Sequence, residues 1–433
     1  MRLCSTLDRG LSVSFAEAVR RGIPPDGGLF IPSSIPVCSG EFLRGIGGLS
    51  FQEIAFEAAR LLLDGEIPDA DLRNIIAEAI TFDAPLRRLD ESTAVLELFH
   101  GPTLAFKDFG ARFMARVMSH VRRDGDAGYT VLVATSGDTG SAVASAFHGI
   151  PGVSVVLLYP SGRVSQIQES QLTTFEGNVT ALEIAGTFDD CQRLVKSAFA
   201  DARLASRRKL TSANSINIAR LLPQTFYYFN AFARLGEQDR GIVFSVPSGN
   251  LGNLTAGLIA WKMGLPVVRF VAALNANDVV GRYFASGVYV PGNAVTTLSN
   301  AMDVGDPGNL PRVRALFDDD IAAMRREVFT ASVTDDETRS AIAESYRKFG
   351  YVLDPHGAVG YHALGRYRAL AGGSFAGIVL ETAHPAKFID VYDNEVRESI
   401  TIPERLQVLP GGKKNSVKLP AGFKELKAFL MDS

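Results

Sequence analysis

The sequence has little of several residue types that mark specialised protein classes. Its 433 residues include three cysteines, Cys4, Cys38 and Cys191, and none of them lies in a C-x-x-C pair. An odd number of cysteines without that spacing predicts neither a disulfide framework nor a thiolate zinc site. The six histidines show no H-E-x-x-H spacing, so the sequence predicts no metal site.

Strong charge bias and long apolar runs are also missing. Lys and Arg number 44 against 47 Asp and Glu, a formal charge of −3, which argues against a nucleic-acid partner or a polybasic membrane patch. No run approaches the ~18 apolar residues of a membrane-spanning helix. The N-terminus carries Asp8 and Glu17 and no apolar core, so it does not resemble a secretory signal. We therefore expect a cytoplasmic enzyme.

The chain changes pattern after about ninety residues. Before that point, apolar periodicity predicts helices at 51–63 and 69–80, and residues 24–32 form a turn-rich loop. Short apolar runs then alternate with helical patterns such as 108–122 and 253–263. The predicted strands are 94–98, 130–134, 153–159, 242–246, 267–273 and 377–381. This alternation predicts an α/β fold with ligands at the carboxyl ends of parallel strands.

The segment VPSGNLGN, residues 246–253, follows one of those strands and opens a helix. Gly249 and Gly252 allow main-chain amides to approach an anion, and the helix N-terminus adds partial positive charge. The segment matches neither a dinucleotide fingerprint nor a Walker loop. An ordinary strand-to-helix turn is the alternative, and this segment alone does not decide between them.

A second turn, ATSGDTGSA at 134–142, also follows a predicted strand. It offers hydroxyls and amides suited to a carboxylate or phosphate, and its alternative is a polar helix cap. SANSINIARL at 212–221 places Asn214 and Arg220 near a helix start, where Arg suits phosphate and the alternative is a solvated surface arginine. ETAHPAKF at 381–388 brings Thr382 and His384 to a strand end; His384 is either a base or a packed histidine.

Lys107 stands among apolar residues in FHGPTLAFKDFGARFM, 99–114. Desolvation disfavours the ammonium form, and the neutral amine forms Schiff bases with aldehydes. From this pattern alone, a surface lysine at a helix start is the commoner outcome.

Taken in order, LELFHGPTLAFKDFG, TSGDTG, NSINIAR, SVPSGNLGN and TAHPAKF resemble the threonine synthase family. The resemblance implies an α/β tryptophan synthase β-like fold (fold type II), with pyridoxal 5′-phosphate in the cleft between two α/β domains. It also implies a mostly helical N-terminal unit over 1–92, a catalytic region over 93–400 with a smaller inserted domain near 105–235, and a C-terminal extension over 401–433.

The resemblance also implies roles for individual residues. Lys107 matches the lysine that forms a Schiff base with the cofactor, Thr382 matches the hydroxyl residue at the pyridine nitrogen, and Asp138 lies near the ring's 3-oxygen. The loop expected to bind the cofactor phosphate consists of Gly249, Asn250, Leu251, Gly252 and Asn253. The residues expected to bind the substrate are Thr135, Ser136, Thr139, Asn214 and Arg220.

The implied reaction converts O-phospho-L-homoserine and water to L-threonine and phosphate, the last step of threonine biosynthesis. Three alternatives remain at this point: a phospholyase that releases 2-oxobutyrate, a serine or threonine dehydratase, and a non-catalytic homologue that binds a phosphorylated metabolite. Arg220 argues against the dehydratase, whose substrates lack phosphate, and Lys107 argues against the non-catalytic homologue. The sequence does not distinguish a monomer from a homodimer.

Overall fold

The computed structural model describes residues 1–122, 128–236, 240–407 and 414–432. The strands are β1 (Arg2–Ser5), β2 (Val13–Ser14), β3 (Phe30–Pro32), β4 (Leu86–Arg88), β5 (Thr93–Glu97), β6 (Tyr129–Ala134), β7 (Val153–Pro160), β8 (Val179–Ala185), β9 (Lys209–Ser212), β10 (Gly241–Pro247), β11 (Val267–Leu274), β12 (Val328–Ser332), β13 (Phe375–Glu381) and β14 (Ser416–Pro420).

The helices of the first half are α1 (Phe15–Arg21), α2 (Gly40–Gly45), α3 (Phe51–Leu63), α4 (Asp69–Ala79), α5 (Lys107–Val121), α6 (Asp138–Phe147), α7 (Gln166–Thr173), α8 (Phe188–Ala200), α9 (Ala202–Arg207), α10 (Ile218–Leu221) and α11 (Gln224–Leu235). Those of the second half are α12 (Gly252–Lys262), α13 (Val279–Ser286), α14 (Leu310–Leu316), α15 (Ile321–Glu327), α16 (Asp335–Phe349), α17 (Pro355–Ala371), α18 (Asn394–Ser399), α19 (Glu404–Gln407) and α20 (Phe423–Asp432). Short 3₁₀ segments cover Ile46–Gly48, Asn300–Met302 and Pro385–Val391.

Two mainly parallel sheets form the frame of the molecule. The larger has the order β12-β11-β10-β13-β5-β4, with β4 antiparallel at its edge. The smaller is parallel throughout, in the order β14-β8-β7-β6-β9. The interior strands are buried along almost their whole length, as expected where helices cover both faces. The predicted α/β class is confirmed, and the six predicted strands match β5, β6, β7, β10, β11 and β13 to within one or two residues.

The N-terminal unit contains a small antiparallel sheet that the sequence patterns do not reveal. β1 pairs with both β2 and β3, so the end of the supposed loop at 24–32 is a strand. These strands have two to four residues each, too few to show an alternating pattern. The predicted helices at 51–63 and 69–80 are present as α3 and α4.

The described part of the C-terminal segment is joined to the smaller sheet. β14 adds to β8 in parallel, and α20 buries Leu426 and Leu430 in the apolar cluster of α8. Lys427 Nζ also lies 2.6 Å from a carboxylate oxygen of Asp201. Residues 408–413 and 433 of the expected extension, and 123–127 and 237–239 of the expected catalytic region, lie outside the described residues. The domain boundaries stay a prediction.

A search of the described residues found no helix with the length and hydropathy needed to cross a membrane.

Candidate active site

The turn between β10 and α12 is shaped by two glycines. A Cβ on Gly249 would lie 2.7 Å from the Cα of Met302 and 3.2 Å from the carbonyl oxygen of Ala301, and one on Gly252 would lie 3.3 Å from Ser215 Cβ. Leu251 between them has a left-handed φ of 58°. Such a turn directs successive main-chain N–H groups to one side, where the first-turn amides of α12 also lack partners within the helix. The turn therefore offers a cradle for an anion.

Hydrogen bonds from a distant segment hold this cradle. The Asn250 side-chain amide donates to Ser215 Oγ at 2.7 Å, and the Asn309 side-chain amide donates to the Asn250 carbonyl at 3.0 Å and to Ser215 Oγ at 3.1 Å. The Asn253 side-chain oxygen accepts from the hydroxyls of Tyr227 and Tyr228 on α11, at 2.8 Å each. Its side-chain nitrogen is buried without a hydrogen-bond partner among the described residues.

Arg312 is a fully buried cation that sequence reasoning missed. Its guanidinium donates to the carbonyls of Phe30, Ser215 and Ile216 and to the side-chain oxygen of Asn309, over 2.6 to 3.0 Å. Burial lowers the pKa of Arg312 to about 9, since the charged form loses hydration. The contacts join the N-terminal unit to the segment that supports the cradle.

Lys107 is the first residue of α5, and its side chain is 16% exposed. Its Nζ lies 3.6 Å from Asp138 Oδ2 and 5.1 Å from the Phe106 ring centroid. Desolvation lowers the pKa of Lys107, opposed by Asp138 and reinforced by the positive charges of Lys387 and Arg220. A lysine with a depressed pKa keeps more of the reactive neutral amine. The enclosed position agrees with the Schiff-base hypothesis rather than with a surface lysine.

Asp138 is the first residue of α6, and its carboxylate contacts a second lysine, Lys387. Lys387 Nζ lies 2.6 Å from Asp138 Oδ1, and Gln168 donates to the same oxygen at 3.1 Å. Lys387 and Lys107 together hold the pKa of Asp138 well below its usual range despite burial. Lys387 was not among the predicted site residues, although it belongs to the 381–388 motif that supplied Thr382.

A buried carboxylate, Asp354, organises the turn that carries Thr382. It accepts hydrogen bonds from the main-chain amides of Thr382 and Ala383 at 3.1 and 3.0 Å. His356 Nδ1 lies 2.6 Å from the other oxygen, and His356 Nε2 accepts from the Ala301 amide at 3.2 Å. Since Nε2 accepts, the proton of a neutral His356 ring lies on Nδ1. Asp354 and His356 thus form a hydrogen-bonded chain from the Thr382 turn to the segment that contains Ala301, which packs against the cradle. Sequence reasoning missed both of these residues.

The predicted hydroxyls of the 134–142 turn differ in what they are free to bind. Thr135 Oγ1 accepts from the amides of Gly137 and Gly140 at 3.0 and 2.8 Å and is almost fully buried. This hydroxyl caps the turn, as the cap interpretation predicts, and the substrate contact expected of Thr135 stays a prediction. Ser136 and Thr139 are half-buried on the same turn.

Asn214 and Arg220 extend the same region of the site. The Asn214 side-chain amide donates to the Ala134 carbonyl at 3.0 Å, which joins the ends of β6 and β9. Arg220 is 3% exposed and donates to the Ala213 carbonyl. Its Nε has no hydrogen-bond partner among the described residues, and burial lowers its pKa to about 10. Arg220 is thus a buried cation, not the solvated surface arginine of the alternative.

His384 is a packed, hydrogen-bonded histidine, which is one of the two alternatives that the sequence left open. Its Nδ1 accepts from the Ala386 amide at 3.1 Å, and its ring meets Phe99 edge-on at 5.2 Å. Desolvation lowers the pKa of His384 to about 4. A general base near neutral pH needs a higher pKa.

Comparison with known proteins assigns the family. The family described as pyridoxal-phosphate dependent enzyme matches residues 82–380, and those described as threonine synthase N terminus and threonine synthase, C-terminal match 2–80 and 357–430. A threonine synthase of Serratia marcescens is 45% identical over 436 aligned residues, covering 100% of this chain and 99% of its own length. The chain belongs to the threonine synthase family. It is therefore a pyridoxal-phosphate-dependent enzyme.

Solved threonine synthase structures share the whole architecture. The crystal structure of the Escherichia coli threonine synthase has a TM-score of 0.93 at 43% identity and covers 100% of both chains. The pyridoxal-phosphate-bound threonine synthase of Brucella melitensis has a TM-score of 0.91 at 36% identity, covering 100% of this chain and 99% of its own. The expected tryptophan synthase β-like fold is confirmed.

The site fits pyridoxal phosphate at both ends of that molecule. Lys107 offers an enclosed amine for the aldehyde, and the 249–253 turn offers main-chain amides for the phosphate, in a close packing against residues 301–302 that the absence of a side chain on Gly249 allows. The described residues contain no group of three His, Cys, Asp or Glu side chains placed to hold a metal ion.

Proposed function

We propose that Lys107 and Arg220 carry out the threonine synthase reaction, in which O-phospho-L-homoserine and water give L-threonine and phosphate. The observation that carries this proposal is a buried guanidinium close to an enclosed lysine. The positive charge of Arg220 acts on Lys107, and its Nε has no hydrogen-bond partner among the described residues. A phosphorylated substrate would supply the missing partner, since Arg binds phosphate through several N–H groups at once.

The 249–253 turn would bind the cofactor phosphate, with Thr382 at the pyridine nitrogen and Asp138 near the 3-oxygen. When bound, pyridoxal phosphate supplies an electron sink for negative charge that develops beside the substrate amine. Thr382 suits that place because the Asp354 contacts fix the main chain of its turn. A hydroxyl rather than a carboxylate there would leave the ring nitrogen largely unprotonated and so moderate the electron sink.

Lys107 would act as the proton-transfer group. Its Nζ would take the proton from the substrate Cα and then, as the phosphate leaves Cγ, one from Cβ. It would return one proton to Cγ and, after water adds its hydroxyl at Cβ, one to Cα, while the remaining water proton leaves with the phosphate; a depressed pKa suits Lys107 to these transfers. Arg220 would bind the γ-phosphate and stabilise its charge as the bond to Cγ breaks. Ser136, Thr139 and Asn214 would line the remaining substrate pocket beside the 134–142 turn.

The experiment measures phosphate, threonine and 2-oxobutyrate together after adding O-phospho-L-homoserine to the cofactor-loaded protein. Threonine equal to phosphate supports the proposal. Phosphate with 2-oxobutyrate would mean a phospholyase, and absence of all three products would contradict the substrate assignment.

Lys107→Ala should abolish turnover while the melting temperature stays close to that of the parent, because Asp138 keeps its shorter contact with Lys387. Lys348→Ala, at an exposed lysine near the end of α16, is the matched control and should react like the parent. Threonine formation by Lys107→Ala would contradict the proposed mechanism.

We further propose that the enzyme works in the cytoplasm. All three cysteines are buried and unpaired, which fits a reducing compartment.

A further inference from the structure

Lys387 is an ammonium group that the fold has enclosed completely. Its side chain is 0% exposed, and Nζ donates to the Thr103 carbonyl at 3.0 Å as well as contacting Asp138. Enclosing a charge costs several kcal/mol unless it is paired and hydrogen-bonded. The pairing with Asp138 offsets that cost, and it also determines what Asp138 can offer to Lys107.

The two oxygens of Asp138 are used unequally. Oδ1 lies 2.6 Å from Lys387 Nζ and 3.1 Å from Gln168 Nε2, whereas Oδ2 lies 3.6 Å from Lys107 Nζ. Charge-assisted N–H···O contacts normally measure about 2.7–2.9 Å. Asp138 therefore forms its short ion pair with Lys387, and its contact with Lys107 is too long to be a hydrogen bond.

The other groups around Lys107 do not replace that missing contact. Lys387 from the 3₁₀ segment after β13 and Arg220 from α10 are both positive, and Asp138 from α6 supplies the negative charge that acts on Lys107. Asp108, the next residue along α5, directs its carboxylate to the Thr103 amide and hydroxyl, at 2.8 and 2.7 Å. The Lys107 amine is thus held in a site with more positive than negative neighbours.

We propose that Lys387 is a positioning residue for Lys107: it occupies Asp138, prevents a tight Lys107–Asp138 ion pair and so keeps the Lys107 amine reactive. Without Lys387, Asp138 would have Lys107 as its nearest lysine, and the two would pair more closely. The Lys107 ammonium would gain a strong partner and lose a like-charged neighbour. This inference rests on the proposed role of Lys107.

The test uses the full chain freed of cofactor, with pyridoxal 5′-phosphate as the probe. The rate of Schiff-base formation is followed by absorbance from pH 6 to 10, and borohydride trapping with peptide mapping restricts the signal to Lys107. Lys387→Met removes the charge at similar side-chain length and should raise the apparent pKa of the reacting amine by about 1–2 units. At pH 7.5 the rate constant should fall about 10-fold to 100-fold. Lys387→Arg keeps the charge and should resemble the parent.

An unchanged pH profile in folded Lys387→Met protein would overturn the proposal, because a purely structural role leaves the Lys107 amine untouched. If that variant does not fold, Lys387→Gln takes its place, because it removes the charge and keeps a side-chain amide that can donate to Asp138. The apparent pKa of the reacting amine should rise in this variant too, and an unchanged pH profile would overturn the proposal. Threonine formation by the parent enzyme is a separate readout, so failure of the proposed reaction is distinguishable from failure of this inference.

Discussion

Replacing Gly249 with Ala should weaken cofactor binding through a steric clash with main-chain atoms. The added Cβ would lie 2.7 Å from Met302 Cα and 3.2 Å from the Ala301 carbonyl oxygen, whereas carbon atoms in contact normally lie about 3.5–4.0 Å apart. Neither Gly249 nor Gly252 has a positive φ, so the effect is steric and not conformational. The segment that contains Ala301 and Met302 is also held in place, because the Ala301 amide donates a hydrogen bond to His356 Nε2.

The cost should be that of overpacking a well-ordered site, about 1–3 kcal/mol. If the loop shifts to relieve the clash, binding of pyridoxal phosphate has to move the loop back at that energetic cost. The affinity for pyridoxal phosphate should then fall about 5-fold to 150-fold. Titration of cofactor-freed protein by absorbance or fluorescence measures the affinity. Melting temperatures with and without cofactor show whether the free protein is also affected.

Gly252→Ala is the matched control from the same turn. Its Cβ would meet Ser215 Cβ at 3.3 Å and Asn309 Nδ2 at 3.5 Å, and these side-chain atoms can move by a few tenths of an ångström. Its affinity should stay within about threefold of the parent. Undiminished cofactor affinity in Gly249→Ala, or an equal loss in both variants, would refute the cradle assignment.

Two other substitutions test charges in and beside the site. Arg220→Met should raise KM for O-phospho-L-homoserine about 10-fold to 150-fold, because the substrate phosphate loses a hydrogen bond from a charged group. The affinity for pyridoxal phosphate should stay nearly unchanged. Equal losses for substrate and cofactor would assign the guanidinium to the cofactor phosphate. His384→Asn should reduce acid sensitivity, measured by urea unfolding at several pH values. The folded pKa of His384 is about 4, below the ordinary value of about 6.5, so the unfolded chain binds more protons between these values. Stability present above pH 6.5 is lost as the pH falls towards 4, by at most about 3 kcal/mol in the parent, and a similar loss in His384→Asn would contradict this account.

Several features of the site were accessible from local sequence. The apolar residues around Lys107 raised the Schiff-base hypothesis, and the family resemblance favoured it over a surface lysine. The structure encloses this side chain. Thr382 directly follows β13 of the larger sheet, and Asp138 lies in the turn region after β6 of the smaller sheet. Each therefore lies beyond the carboxyl end of a parallel strand, where open α/β sheets bind ligands. The buried strands themselves show as apolar runs, so the α/β class was also predictable.

The same local patterns could not show which polar groups were already satisfied. Thr135 appeared equivalent to Ser136 and Thr139 as a substrate-binding hydroxyl, yet it is used inside its own turn. The short strands β1, β2 and β3 form by pairing with one another, and a pattern of two to four residues does not predict such pairing. For Lys387, the available signal was its place in the motif that contains Thr382. For Asp354, it was the Asp-Pro pair at the start of α17.

The sequence by itself determined the family, the α/β class and the identity of the lysine expected to react, because these depend on short patterns and their order along the chain. Only the tertiary structure decided which charges meet. Lys387 reaches the carbonyl of Thr103 across 284 positions, and Arg312 reaches that of Phe30 across 282. A buried charge is stable only where packing brings it polar partners, and partners that far apart along the chain leave no local signature of the contact.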